Sequence, residues 1–86
     1  MKHVVSRIIE NIGEIRYYLT KTITSGITTY GVAIFNVNDN CIERVDDIWT
    51  DKGPLLEFIK LMADSQVTCV HLKELCEEFV EELYSI

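Results

Sequence analysis

Proline occurs once and glycine four times in 86 residues, each glycine standing alone, which leaves no room for a flexible or low-complexity linker. A single folding unit is expected. A chain this short buries only about 60–65% of its unfolded surface, so its stability is marginal and a multidomain enzyme is excluded. Long apolar runs are missing too: nothing approaches the roughly 18 residues that cross a bilayer, and Met1–Arg7 lacks the continuous apolar stretch of a secretion signal. A cytoplasmic protein with no membrane partner is expected. Clustered basic charge is equally scarce. Eight Lys and Arg lie singly among fourteen Asp and Glu, for a net charge of −6, whereas phosphate backbones are bound by grouped Lys and Arg that displace counterions. Nucleic acid is not an expected partner. Gly-x-Ser-x-Gly turns, phosphate loops and dinucleotide fingerprints cannot be drawn, so serine-nucleophile chemistry and nucleotide cofactors are not expected.

The three cysteines, Cys41, Cys69 and Cys76, are odd in number and lack the paired spacing of a disulfide framework. Free thiols in a reducing compartment, and no disulfide, are expected. Cys69, His71 and Cys76 carry zinc-ligand chemistry, but without a C-x-x-C knuckle or a fourth ligand they do not add up to a metal site. Cys76 falls on the apolar stripe of a helix, where a thiol acts as a small hydrophobe.

What is present is a globular composition, 48% hydrophobic and 26% charged, with periodicities that change along the chain. In residues 1–12 the doubled spacing of Val4, Val5, Ile8, Ile9 and Ile12 reads as a helix ended by Gly13, against which stands their β-branched content. From Ile15 the period becomes two. Ile15, Tyr17, Leu19 and Ile23 share one side of a strand, Ser25-Gly26 makes a two-residue turn, and Thr29–Phe35 returns as the second strand. That turn pairs Leu19 with Val32, Tyr17 with Ile34 and Tyr18 with Ala33. Gly31 marks a bulge or the close approach of another backbone. After Asn38-Asp39-Asn40 a third strand runs from Cys41 to Ile48. Its register depends on loop length: Val45 falls either beside Ile34 or Val32 on the core face, or opposite Ala33 on the back.

Thr50 or Asp51 caps a helix with Pro54 in its first turn, and Leu55, Leu56, Phe58, Ile59, Leu61 and Met62 form its stripe. From His71 a second amphipathic helix carries Leu72, Leu75, Cys76, Phe79, Val80 and Leu83. The expected fold is α+β: a three-stranded antiparallel meander packed on one face by two C-terminal helices. Residues 1–13 are added to it as a helix or arm, and residues 14–86 form the single domain.

Acidic charge is concentrated late, with twelve of the fourteen carboxylates in residues 39–86. On the last helix Glu74, Glu77, Glu78, Glu81 and Glu82 form a polar side, and most of them lie where the helix dipole disfavours negative charge. That face is a candidate dock for a basic partner. Tyr18, on a strand expected at the sheet edge with few charges to block pairing, is a second candidate, for a protein partner that includes a second copy of this chain. Asp46 and Asp47 are neighbours whose side chains point to opposite faces, so they share a site only if a bulge intervenes.

The runs Tyr30-Gly31-Val32-Ala33-Ile34, Val45-Asp46-Asp47-Ile48 and Val70-His71-Leu72-Lys73-Glu74-Leu75 resemble a family of short uncharacterised bacterial proteins, a domain of unknown function from Gram-positive anaerobes. The resemblance spans roughly residues 15–83. It implies no activity and carries over no site residue. A non-enzymatic cytoplasmic interaction or regulatory module is therefore the leading expectation, with no catalytic, cofactor-binding or metal residue. The alternative is a small-molecule or catalytic domain whose pocket joins Tyr30, Asp47 and His71. A third is an acidic decoy for a basic nucleic-acid-binding surface.

Overall fold

The computed structural model describes residues 2–85. Four strands, β1 (Lys2–Ile12), β2 (Ile15–Thr24), β3 (Ile27–Asn36) and β4 (Cys41–Trp49), are followed by helix α1 (Lys52–Asp64), a 3-10 turn (Cys69–His71) and helix α2 (Leu72–Tyr84). The strands form one antiparallel sheet in the order β1-β2-β3-β4. The α+β class holds, but the sheet has four strands, not three.

The extra strand is the N-terminal segment that reads as a helix. Its Val and Ile side chains are stiff at Cβ and suit a pleated surface better than a helix turn. The helical doublet at Ile8-Ile9 has a different origin. A bulge shifts the register between Ile8, opposite Tyr18, and Glu10, opposite Tyr17, so two consecutive apolar residues are accommodated within one strand. Gly13 does not cap a helix; with φ +57° it takes the first central place of the turn joining Ile12 to its partner Ile15.

The β2–β3 hairpin has the register read from its turn: Leu19 faces Val32, Tyr17 faces Ile34 and Tyr18 faces Ala33. Ser25 (φ +51°) and Gly26 (φ +81°) both occupy the left-handed region that a two-residue type I′ turn requires. Val45 lands opposite Val32, which settles the open register of β4 on the core face. Beyond Val45 the pairing resumes only at Trp49, opposite Tyr30, so Asp46, Asp47 and Ile48 loop out against Gly31.

Both helices cover the Tyr17, Leu19, Val32 and Ile34 face. Asp51 caps α1 by accepting from the Gly53 N–H at 3.0 Å, and Leu55, Phe58, Ile59 and Met62 are buried beneath it. Leu72 and Cys76 are the buried residues of α2. Each fully buried aliphatic side chain contributes about 1.5–3 kcal/mol. Neither helix is long and apolar enough to cross a membrane.

The link between the helices is tied to the sheet at three points. The Tyr17 hydroxyl donates to the Val67 carbonyl at 2.7 Å, the Cys69 N–H donates to Asn36 Oδ1 at 3.2 Å, and Cys69 is disulfide-bonded to Cys41. This overturns the expectation of three free thiols. The two partners are 28 residues apart, but Asn36 is both the strand partner of Cys41 and the acceptor for Cys69, so the fold brings their Cα atoms within 6.4 Å. Only Cys76 is free.

Candidate functional site

The apolar stripe of α2 is wider than the sheet can cover. Leu72 and Cys76 reach the sheet, while Leu75, Phe79 and Leu83 remain half-buried on the side that turns toward α1. On α1 the same mismatch leaves Leu61 66% exposed. The two helices bound a groove of about 530 Å³ along which these side chains are arrayed. Its floor holds Phe58 and Phe79, stacked at 4.3 Å with their planes 6° apart. Glu57 of α1 and Glu78 and Glu82 of α2 also line it, and among the described residues no Lys, Arg or His does.

The five glutamates of α2 do not act as one face. Glu78 and Glu82 border the groove, whereas Glu77 and Glu81 turn to the other flank, into a cleft of about 660 Å³ shared with Arg44 and Lys73. Lys73 also pairs with Glu43 of β4 at 3.6 Å. Glu74 lies beside His71. Glu77 and Glu81 thus share their cleft with two basic side chains, each paired with a carboxylate of β4, whereas the groove side is lined by carboxylates without a basic neighbour among the described residues. Glu57 escaped the sequence reading. The signal for it was an acidic residue flanking the apolar stripe of a second helix.

Tyr18 is not at an edge. β1 covers that side of β2, and Tyr18 lies half-buried on the sheet face opposite the helices, across from Ala33. The edges of the sheet are β1 and β4.

A bulge does intervene at Asp46-Asp47; it sets Asp47 beside Thr29 on that open face and leaves Asp46 at the β4 edge, where it also lines the cleft with α2. The Thr29 hydroxyl donates to Asp47 Oδ1, Lys2 Nζ lies 3.8 Å from Asp47 Oδ2, and Arg44 Nε lies 3.1 Å from Asp46 Oδ2. Two carboxylates meet two cations, so the cluster is close to electroneutral and works as a clasp across the sheet. Thr20 Oγ1, Thr22 Oγ1 and Asp46 Oδ1 are buried there without a protein partner.

Tyr30 and His71 line separate cavities, and Asp47 lines neither of them. Tyr30 lines a cavity of about 230 Å³ with Arg7, Lys21 and Lys52, His71 lines another with Thr68 and Glu74, and Asp47 is held on the open face.

A family model covers residues 2–82, nearly the whole chain. The chain belongs to DUF6514, a family of unknown function. Comparison with curated proteins and with solved structures gives no match. The DUF6514 match takes in β1, which lies outside the span of roughly 15–83 that the short motifs mark.

The free thiol of this DUF6514 chain is not a reactive one. Burial pushes Cys76 up from 9.0 to about 12, and burial also raises Tyr17. The folded chain therefore keeps protons that the unfolded chain releases at alkaline pH. The thiol's contribution to stability is complete below about pH 9 and is lost as pH rises toward 12. Urea melts across that range should show the fall, and Cys76→Ala should flatten part of it. A thiol reagent at neutral pH should label Cys76 only on unfolding; rapid labelling of the native protein would refute the inert assignment.

Proposed function

We propose that this chain is a non-enzymatic interaction module that docks a protein partner in the groove between α1 and α2. One observation supports the reading above the others: the groove is apolar along its floor, and helices that would normally close it by packing on each other leave Leu61, Leu75 and Phe79 accessible. An apolar groove between two helices with polar margins has the form in which an amphipathic helix docks. The titratable groups favour binding over catalysis, because the paired carboxylates at Asp46 and Asp47 are each matched to a basic side chain.

The test is site-specific photo-crosslinking in the native host. A benzophenone side chain at Leu61, 66% exposed on the groove, should form a covalent adduct with one protein. The same group at Ile42, 62% exposed on β4, should not. An adduct with a second copy of the chain would make the partner itself. Equal labelling at both positions, or none at Leu61, would end the docking assignment.

A further inference from the structure

We infer that the groove takes an amphipathic helix with basic residues along both margins of its apolar face. The inference rests on the groove being the docking site and adds the chemistry of what docks. Shape supplies the first argument. Lining residues run from Pro54 on α1 to Ser65 just past its end and from Leu75 to Leu83 on α2, and at 1.5 Å per residue the longer wall extends about 17 Å, or three helical turns. The shorter wall repeats as Leu75, Phe79 and Leu83, one residue per turn. A third helix laid between two others meets such walls with side chains at i, i+3 or i+4, and i+7.

Charge supplies the second. Glu57 stands on one wall, and Glu78 and Glu82 stand one turn apart on the other, roughly 6 Å between Cβ atoms. The last turn of α2 has no basic residue, so Glu82 sits at the negative end of the helix dipole without local compensation. The flank facing β4 at least places Arg44 and Lys73 in the same cleft as Glu77 and Glu81, although each of these cations is paired with a β4 carboxylate, Asp46 or Glu43. The groove has no internal counterpart. Lys or Arg side chains on an incoming helix, spaced one turn apart, relieve the repulsion on both walls while their alkyl stems extend the apolar contact.

The experiment uses the full chain with its disulfide intact and synthetic helices of about 14 residues that share one leucine face and differ only in their flanking residue: Lys, Gln or Glu. In calorimetric titration the Lys helix should bind about tenfold more tightly than the Gln helix. That advantage should vanish in about 0.5 M salt. The double variant Glu78→Gln/Glu82→Gln should lose the advantage, while Glu74→Gln/Glu81→Gln, with the same net charge, should keep it. Equal losses in the two double variants would reduce the effect to the general negative charge of the protein and overturn the proposal. Gln and Lys helices binding alike would refute the basic partner and leave the groove as a docking site. No helix binding at all would remove the docking assignment as well.

Discussion

Replacing Gly31 with alanine is expected to cost about 3 kcal/mol and to lower the melting temperature by roughly 12–24 °C, since each kcal/mol moves a domain of this size by about 4–8 °C. The cause is steric and lies in β4. A Cβ at Gly31 would meet the Val45 carbonyl oxygen, sit 2.7 Å from the Asp46 Cα and 2.8 Å from Thr20 Oγ1. Two of these are backbone, so no rotamer change relieves them. The bulge must lift, and with it go the Thr29–Asp47 bond and the Lys2 and Arg44 ion pairs that pin the bulge to the open face. Gly26→Ala is the control: it has φ +81° but nothing within 4 Å of the new Cβ, so it costs only the left-handed penalty of about 1–2 kcal/mol. Thermal melts followed by far-UV circular dichroism decide the matter. A Gly31→Ala protein that melts like Gly26→Ala would show that β4 does not press on β3 as described.

Opening the Cys41–Cys69 bond is expected to have a comparable effect. The bridge closes 28 residues, and in the chain-entropy account a loop of that size is worth about 3–4 kcal/mol. A chain of this length has only about 5–10 kcal/mol in all, so reduction removes a large part of the reserve. The Cys41→Ser/Cys69→Ser double variant, or the wild type in excess reductant, should show a lower urea midpoint than the oxidised protein. The change should reach the α1–α2 link first, because the Cys69 N–H and the Val67 carbonyl hold that link to the sheet beside the bridge. Identical midpoints for oxidised and reduced protein would mean that the bond adds nothing to the fold.

The elements that local chemistry specifies are those that could be read from residues alone. Alternation from Ile15 to Ile23 and the Ser25-Gly26 turn lead directly to a hairpin whose three anticipated pairs are all present. Gly31 stood out as the place where another backbone comes close, and the bulge of β4 is that backbone. The failures involve faces that a bulge reassigns. In β1 one extra residue lets Ile8 and Ile9 mimic the doublet of a helix. In β4 looped-out residues interrupt the alternation at Asp46 and Asp47, and no glycine or proline lies within them to signal it. The disulfide was hidden because its partners meet through long-range contacts, among them the bond from Cys69 to Asn36, 33 residues away in the chain. The candidate site was half legible. Helical spacing located the glutamates of α2, but dividing them between two flanks required knowing where α1 and β4 lie.

The second helix is fastened very unequally. Its leading end is riveted through Val67 and Cys69, while near its tail the aromatic contact is an edge of Trp49 against the largely exposed Tyr84, ring centres 5.1 Å apart. A rod fixed at one end swings most at the other. An incoming segment therefore meets a wall that is covalently anchored beside Val67 and held only by side-chain packing beside Leu83.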